Sequence, residues 1–154
     1  MLTLPHTLVA VAIVKLIPNP LISLPLCLTS HFFLDFLITH WNPHLYTEYQ
    51  KNGRVSSGSI FFITIDALLA LTVSLAILLK FWPNLSTIGL YATGIFLATL
   101  PDTIEIPYYF MGVKSKLLSS YVEFEHKHQA NGSVLWGIIT QIITVTLSLL
   151  VLLS

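Results

Sequence analysis

A run of apolar residues at about 59–81 contains one ionisable residue, Asp66, before Lys80 near its end. A helix needs roughly 20 mostly apolar residues to cross the hydrocarbon layer of a bilayer, and a run of that length leaves the chain few ways to fold in water. Four more apolar segments lie at about 3–17, 21–39, 87–100 and 133–153. The first is short and is stopped by Pro18-Asn19-Pro20, because proline clashes with a continuing helix. The second stops before Trp41-Asn42-Pro43 and the third before Trp82-Pro83-Asn84. Pro101 either kinks the fourth or opens a new helical segment that reaches about residue 109. Trp41, Trp82 and Trp136 fall near span ends, where aromatic side chains favour the membrane–water boundary.

Composition agrees. The chain of 154 residues is 55% hydrophobic and 9% charged, against about 25% charged in a soluble domain. Seven basic residues balance seven acidic ones, so nothing is basic enough to grip nucleic acid. Cys27 is the single cysteine, which excludes a disulfide framework within the chain and makes it a small packing residue. No positive charge precedes the first apolar stretch, and no small-residue cleavage site follows it, so it is expected to stay in the mature protein rather than act as a signal peptide.

The expected fold is therefore all-α: a single membrane-embedded domain, 1–154, of about five transmembrane helices. Two polar connections join them, at 40–58 and 112–132. In the second, Leu117, Leu118, Tyr121, Val122 and Phe124 recur at helical spacing, which predicts an interfacial helix over about 115–128. Lys51 and Arg54 lie in one connection and Lys114, Lys116 and Lys127 in the other, whereas the opposite side has only Lys15 and Lys80. The positive-inside bias then places both connections and the N-terminus in the cytoplasm.

All three aspartates, Asp35, Asp66 and Asp102, fall in apolar segments. A charge at mid-membrane costs about 2.5–3.5 kcal/mol on insertion scales, so these residues, with His31 and Glu105, need pairing, a water-filled cavity or a metal. On the five-span topology they share one leaflet half with His6 near the start of the first span and His40 at the end of the second, and His126 lies in the following connection. His31 and Asp35 are spaced i,i+4 and Asp102 and Glu105 i,i+3, so each pair shares a helix face. Imidazole and carboxylate donors gathered from several helices suit zinc first, and also iron or manganese. The expectation is that His31, Asp35, Asp66 and Asp102 converge as ligands, with His6, His40 and His126 as further candidates and Glu105 as general base.

Structural alternatives exist for each residue. His31 and Asp35 can make an interhelical hydrogen bond, and Asp66 can partner a helix dipole or a hydroxyl. Asp102 and Glu105 can mark an interfacial helix start behind Pro101, and His6 and His40 can be solvated interfacial histidines. Glu48, Glu123 and Glu125 read as ordinary loop charges.

The segment Ser30-His31-Phe-Phe-Leu-Asp35-Phe-Leu-Ile-Thr-His40-Trp41-Asn42, with Leu100-Pro101-Asp102 and the later Phe124-Glu-His126-Lys-His128-Gln129, resembles small bacterial membrane-bound metal-dependent hydrolases, the LexA-regulated inner-membrane hydrolase-like group and its short relatives. Larger members carry an early His-Arg-Gly-x-Thr-His segment, where this chain has only Pro5-His6-Thr7. The resemblance implies a divalent-metal hydrolase in a bacterial-type inner membrane, with membrane lipid as its surroundings and a lipid or other amphiphile as substrate. An ion or proton pathway and a structural membrane adaptor without catalysis are the alternatives; the first needs polar residues reaching both leaflets, and the second needs no convergence of the site.

Overall fold

The computed structural model describes residues 1–154. It is all-helical, with α1 (Thr3–Leu16), α2 (Pro20–Leu37), α3 (Leu45–Asn52), α4 (Ser57–Leu79), α5 (Leu85–Phe110), α6 (Lys116–His128) and α7 (Val134–Leu153). The starts follow from local chemistry. Asn19, Ser56, Asn84, Ser115 and Ser133 each accept a hydrogen bond on the side chain from a first-turn amide, satisfying a donor that the helix itself leaves free. Gly53, at φ 67°, supplies the left-handed residue that ends α3.

Three helices, α2, α4 and α7, are long and apolar enough to cross a membrane. Their outward residues are apolar: Leu68, Leu69, Leu71 and Leu75 on α4 and Ile142, Leu147 and Leu150 on α7 are all exposed. On α4 and α7 the buried residues are small or polar, namely Ser59, Asp66, Ala70 and Ser74 on α4 and Gly137, Gln141 and Ser148 on α7. Apolar outside and polar inside inverts the arrangement of a water-soluble domain and matches a bundle whose solvent is lipid, where small and hydroxylated residues form the helix contacts.

α1 is the axis of the bundle. Its 14 residues rise about 21 Å, less than the roughly 30 Å hydrocarbon core, and α2, α4, α5 and α7 all pack on it. Gly94 of α5 permits a close approach to α1 and α2, since a Cβ there would lie 2.9 Å from Val14 Cγ2 and 3.2 Å from Cys27 Sγ. At the far end of α1 the Lys15 ammonium donates to the carbonyls of Val151 and Leu152, 2.9 and 3.1 Å away, neutralising the last turn of α7.

α5 resolves the alternative posed by Pro101: the helix runs unbroken through Pro101 and Pro107. Asp102 and Glu105 therefore sit deep within a 26-residue helix and do not mark an interfacial start. α6 forms where the apolar spacing predicts it, burying Val122 against Tyr49, Val55, Tyr108 and Tyr109. α3 has no counterpart in the sequence reading; Leu45, Tyr46 and Tyr49 are at helical spacing, but eight residues in a polar connection are too short a run to stand out, and packing of Tyr49 under α6 holds it.

Candidate functional site

Along α1 and α5 the interior changes character. One end is an apolar cluster of Ala10, Val11, Val14, Cys27, Tyr91 and Ala98, and the other is the tyrosine-rich cluster under α3 and α6. Between them lies a polar layer to which α1 contributes His6, α2 contributes His31 and Asp35, and α5 contributes Asp102. His6, His31 and Asp35 are buried, while the Asp102 side chain is 39% exposed.

The histidine geometry is specific. His31 Nδ1 lies 2.9 Å from the Ala98 carbonyl oxygen; because a carbonyl only accepts, that nitrogen carries the proton. Nε2 is then turned toward two carboxylates, 3.9 Å from Asp35 Oδ2 and 3.9 Å from Asp102 Oδ1. The His6 ring stacks on His31 at 4.3 Å between centroids. His6 Nε2 lies 3.1 Å from Asp35 Oδ1, yet neither ring nitrogen of this fully buried imidazole has a hydrogen-bond partner. Buried polar nitrogens are normally satisfied, so His6 is left with bonding capacity to spare. One donor atom from each of His6, His31 and Asp102 falls within 4.8 Å of the others. Ligands about 2 Å from one ion lie at most about 4 Å apart, so to close on a divalent cation this set would have to draw together and the stacked His6 and His31 rings turn out of their parallel arrangement.

Asp35 ties the layer together. Its Oδ1 accepts from the Met1 amine at 2.6 Å, and Gln129 Nε2 donates to Oδ2 at 3.5 Å. Its backbone carbonyl accepts from Ala130 N at 2.7 Å, and His40 N donates to the Ala130 carbonyl at 3.1 Å. The chain after α6 is thus stitched to the chain after α2, and Gln141 of α7 completes the floor by accepting from Leu2 N at 3.1 Å and donating to the Trp41 carbonyl at 2.8 Å.

The other residues singled out by sequence take different places. Asp66 accepts from the amides of Thr3 at 2.5 Å and Leu4 at 3.3 Å, so its carboxylate is engaged by the N-terminus of α1; this is the helix-dipole partnership weighed as its structural alternative. His40 is buried, its Nδ1–H donating to the Ile38 carbonyl at 2.9 Å, and burial together with the nearby N-terminal amine pulls its imidazole down to about 4. His126 stacks on Tyr46 at 4.2 Å between centroids, and burial lowers it. Asp35, Asp66, Asp102, Glu105 and His126 all line one cavity of about 640 Å³; His6, His31 and His40 do not line it.

One sequence assignment is corrected. Glu125 is not an ordinary loop charge: it is buried on α6, lines the same cavity, and accepts from the Tyr121 hydroxyl at 3.1 Å. Burial pushes its carboxyl above the usual carboxylate range, against the opposing pull of His31 and the Tyr121 bond. Its position three residues after Val122, on the apolar stripe of α6, is the signal that marks it as inward-facing.

Fold and site together define a helical-bundle membrane protein with an internal histidine–aspartate cluster beside a cavity. No protein-family model, curated protein or solved structure matches the chain.

Proposed function

We propose that this protein is a membrane-embedded, divalent-metal-dependent hydrolase acting on a lipid or other amphiphile from the inner leaflet of a bacterial-type membrane. The observation that carries the reading is the convergence of His6, His31 and Asp102 within 4.8 Å, with Nδ1 of the fully buried His6 ring unpartnered and its Nε2 in contact with Asp35 Oδ1 at 3.1 Å. Two imidazoles and a carboxylate suit zinc first, and iron or manganese next. A divalent ion supplies Lewis acidity toward a scissile carbonyl or phosphoryl oxygen and acidifies water. In this reading the Nδ1–H bond to Ala98 fixes the ring of His31 with Nε2 inward, Asp35 steadies His6, and Glu105, on the cavity wall one turn from Asp102, takes the proton of the attacking water. The apolar plug of Ala10, Val11, Val14, Cys27, Tyr91 and Ala98 beyond the site favours a site closed toward the opposite leaflet over an ion pathway, which needs polar groups in both leaflets.

Metal content of purified protein tests the proposal. Wild type is expected to carry stoichiometric divalent metal, to lose thermal stability with chelator, and to lose most of the metal in His31→Ala and Asp102→Asn. Wild type that carries no metal, with a melting curve indifferent to chelator, removes the hydrolase reading.

The accompanying topology has five membrane crossings, with α1 and α5 completing α2, α4 and α7, and with α3 and α6 on the cytoplasmic face. Single cysteines replacing Lys51 and Lys116 are expected to be labelled from the same side of the membrane. Labelling from opposite sides would end the five-span arrangement.

A further inference from the structure

We infer that the cavity beside the histidine–aspartate cluster binds a single-chain amphiphile with a cationic amino head group. At about 640 Å³ it is within the usual size for a small-molecule site, roughly 300–1,000 Å³. Its polar wall is acidic. Asp35 and Asp66 already serve the N-terminal amine and the first amides of α1, but Asp102, Glu105 and Glu125 also line the cavity, and no lysine or arginine does. A phosphate, sulfate or carboxylate head would meet carboxylates with only the imidazoles of His44 and His126 to hold it, the Met1 amine being bonded to Asp35, whereas an ammonium finds the Asp102 carboxylate and the carboxyl oxygens of Glu105 and Glu125 as acceptors. Tyr46, stacked on His126 by one face, and Tyr109 also line the cavity, and aromatic rings attract a cation.

The wall is elongated and carries an apolar strip beside Asp66, Asp102 and Glu105. It follows α4 from Ile60 to Leu71 and α5 from Thr99 to Phe110, about 16 Å along each helix at 1.5 Å per residue. Leu68, Leu71, Ile106 and Phe110 on this wall are 57%, 54%, 47% and 45% exposed on the apolar outer surface. A chain lying between α4 and α5 therefore meets hydrocarbon along its length, and its head reaches the acidic end. As the identity of a substrate this inference rests on the hydrolase proposal; as a binding site it stands on the cavity alone.

The experiment separates the two. Protein in nanodiscs of zwitterionic lipid, with chelator present, is titrated with dodecylamine or with dodecanoate, and binding is read by thermal shift and by native mass spectrometry. Dodecylamine is expected to saturate at about tenfold lower concentration than dodecanoate, the size of one charge-assisted hydrogen bond. The double substitution Glu105→Gln, Glu125→Gln is expected to raise the dodecylamine midpoint about tenfold without weakening dodecanoate, and Leu68→Trp to weaken both. Dodecanoate binding as tightly as dodecylamine in wild type, or no saturable dodecylamine binding, overturns the inference without any variant having to fold. A metal-free protein that still binds the amine loses the hydrolase reading and keeps this one; a metal-loaded protein that does not bind it loses this one alone.

Discussion

Asp35→Asn is expected to remove both the metal and a large part of the stability of this protein. Asp35 is 1% exposed, and the Met1 amine, His6 and Gln129 all turn toward its carboxylate at 2.6, 3.1 and 3.5 Å. Asparagine keeps the shape but withdraws the negative charge, so the buried groups facing it lose their counter-charge. Breaking a buried pair from one side costs about 3–5 kcal/mol. The same change frees the His6 ring, and loss of such an orienting partner lowers metal affinity about 10–100-fold. The measurement is metal content and thermal stability in detergent, with and without chelator, for wild type and variant. Asp102→Asn is the companion, because its carboxylate is partly exposed; it should lose metal while keeping more of its chelator-treated stability. If the layer is a neutral hydrogen-bonded network with no ion, asparagine will substitute with little loss and neither protein will contain metal.

The second large effect is expected at Gly137. This glycine of α7 packs against the backbone that leaves α2: an added Cβ would lie 2.6 Å from His40 C and 2.6 Å from Trp41 Cβ. Backbone cannot rotate away as a side-chain tip can. Gly137→Ala must push α7 off the 40–41 segment, and that strains the Gln141 to Trp41 hydrogen bond one turn along. A cost of about 3 kcal/mol, the upper end of the overpacking range, corresponds to a fall of roughly 10 °C in melting temperature for a chain of this size. Gly89→Ala is the control, since nothing lies within 4 Å of a Cβ there. Equal melting temperatures for the two variants would mean that α7 does not pack on this segment.

The sequence by itself determined the helical content and most element boundaries. Apolar runs of bilayer length can be satisfied only by helices, which bond every backbone group internally, and Pro-containing breaks mark where the chain leaves them. It also singled out His31, Asp35 and Asp102, because an ionisable residue inside an apolar run is costly anywhere and so stands out without any fold. Partnership was not legible. Asp66 looks like the other aspartates in sequence, and only the arrival of the α1 N-terminus at its carboxylate gives it a different neighbour. His6 looks like an interfacial histidine until α1 is seen buried among four helices, and Glu125 looks like a loop charge until α6 folds over the cavity. Gly137 carries no signal at all, since a glycine in an apolar run states nothing about which backbone will lie against it. Burial within a segment is set by local periodicity and solvent. The atom that meets a given side chain is set by how segments distant in the chain pack, and only the tertiary structure decided that.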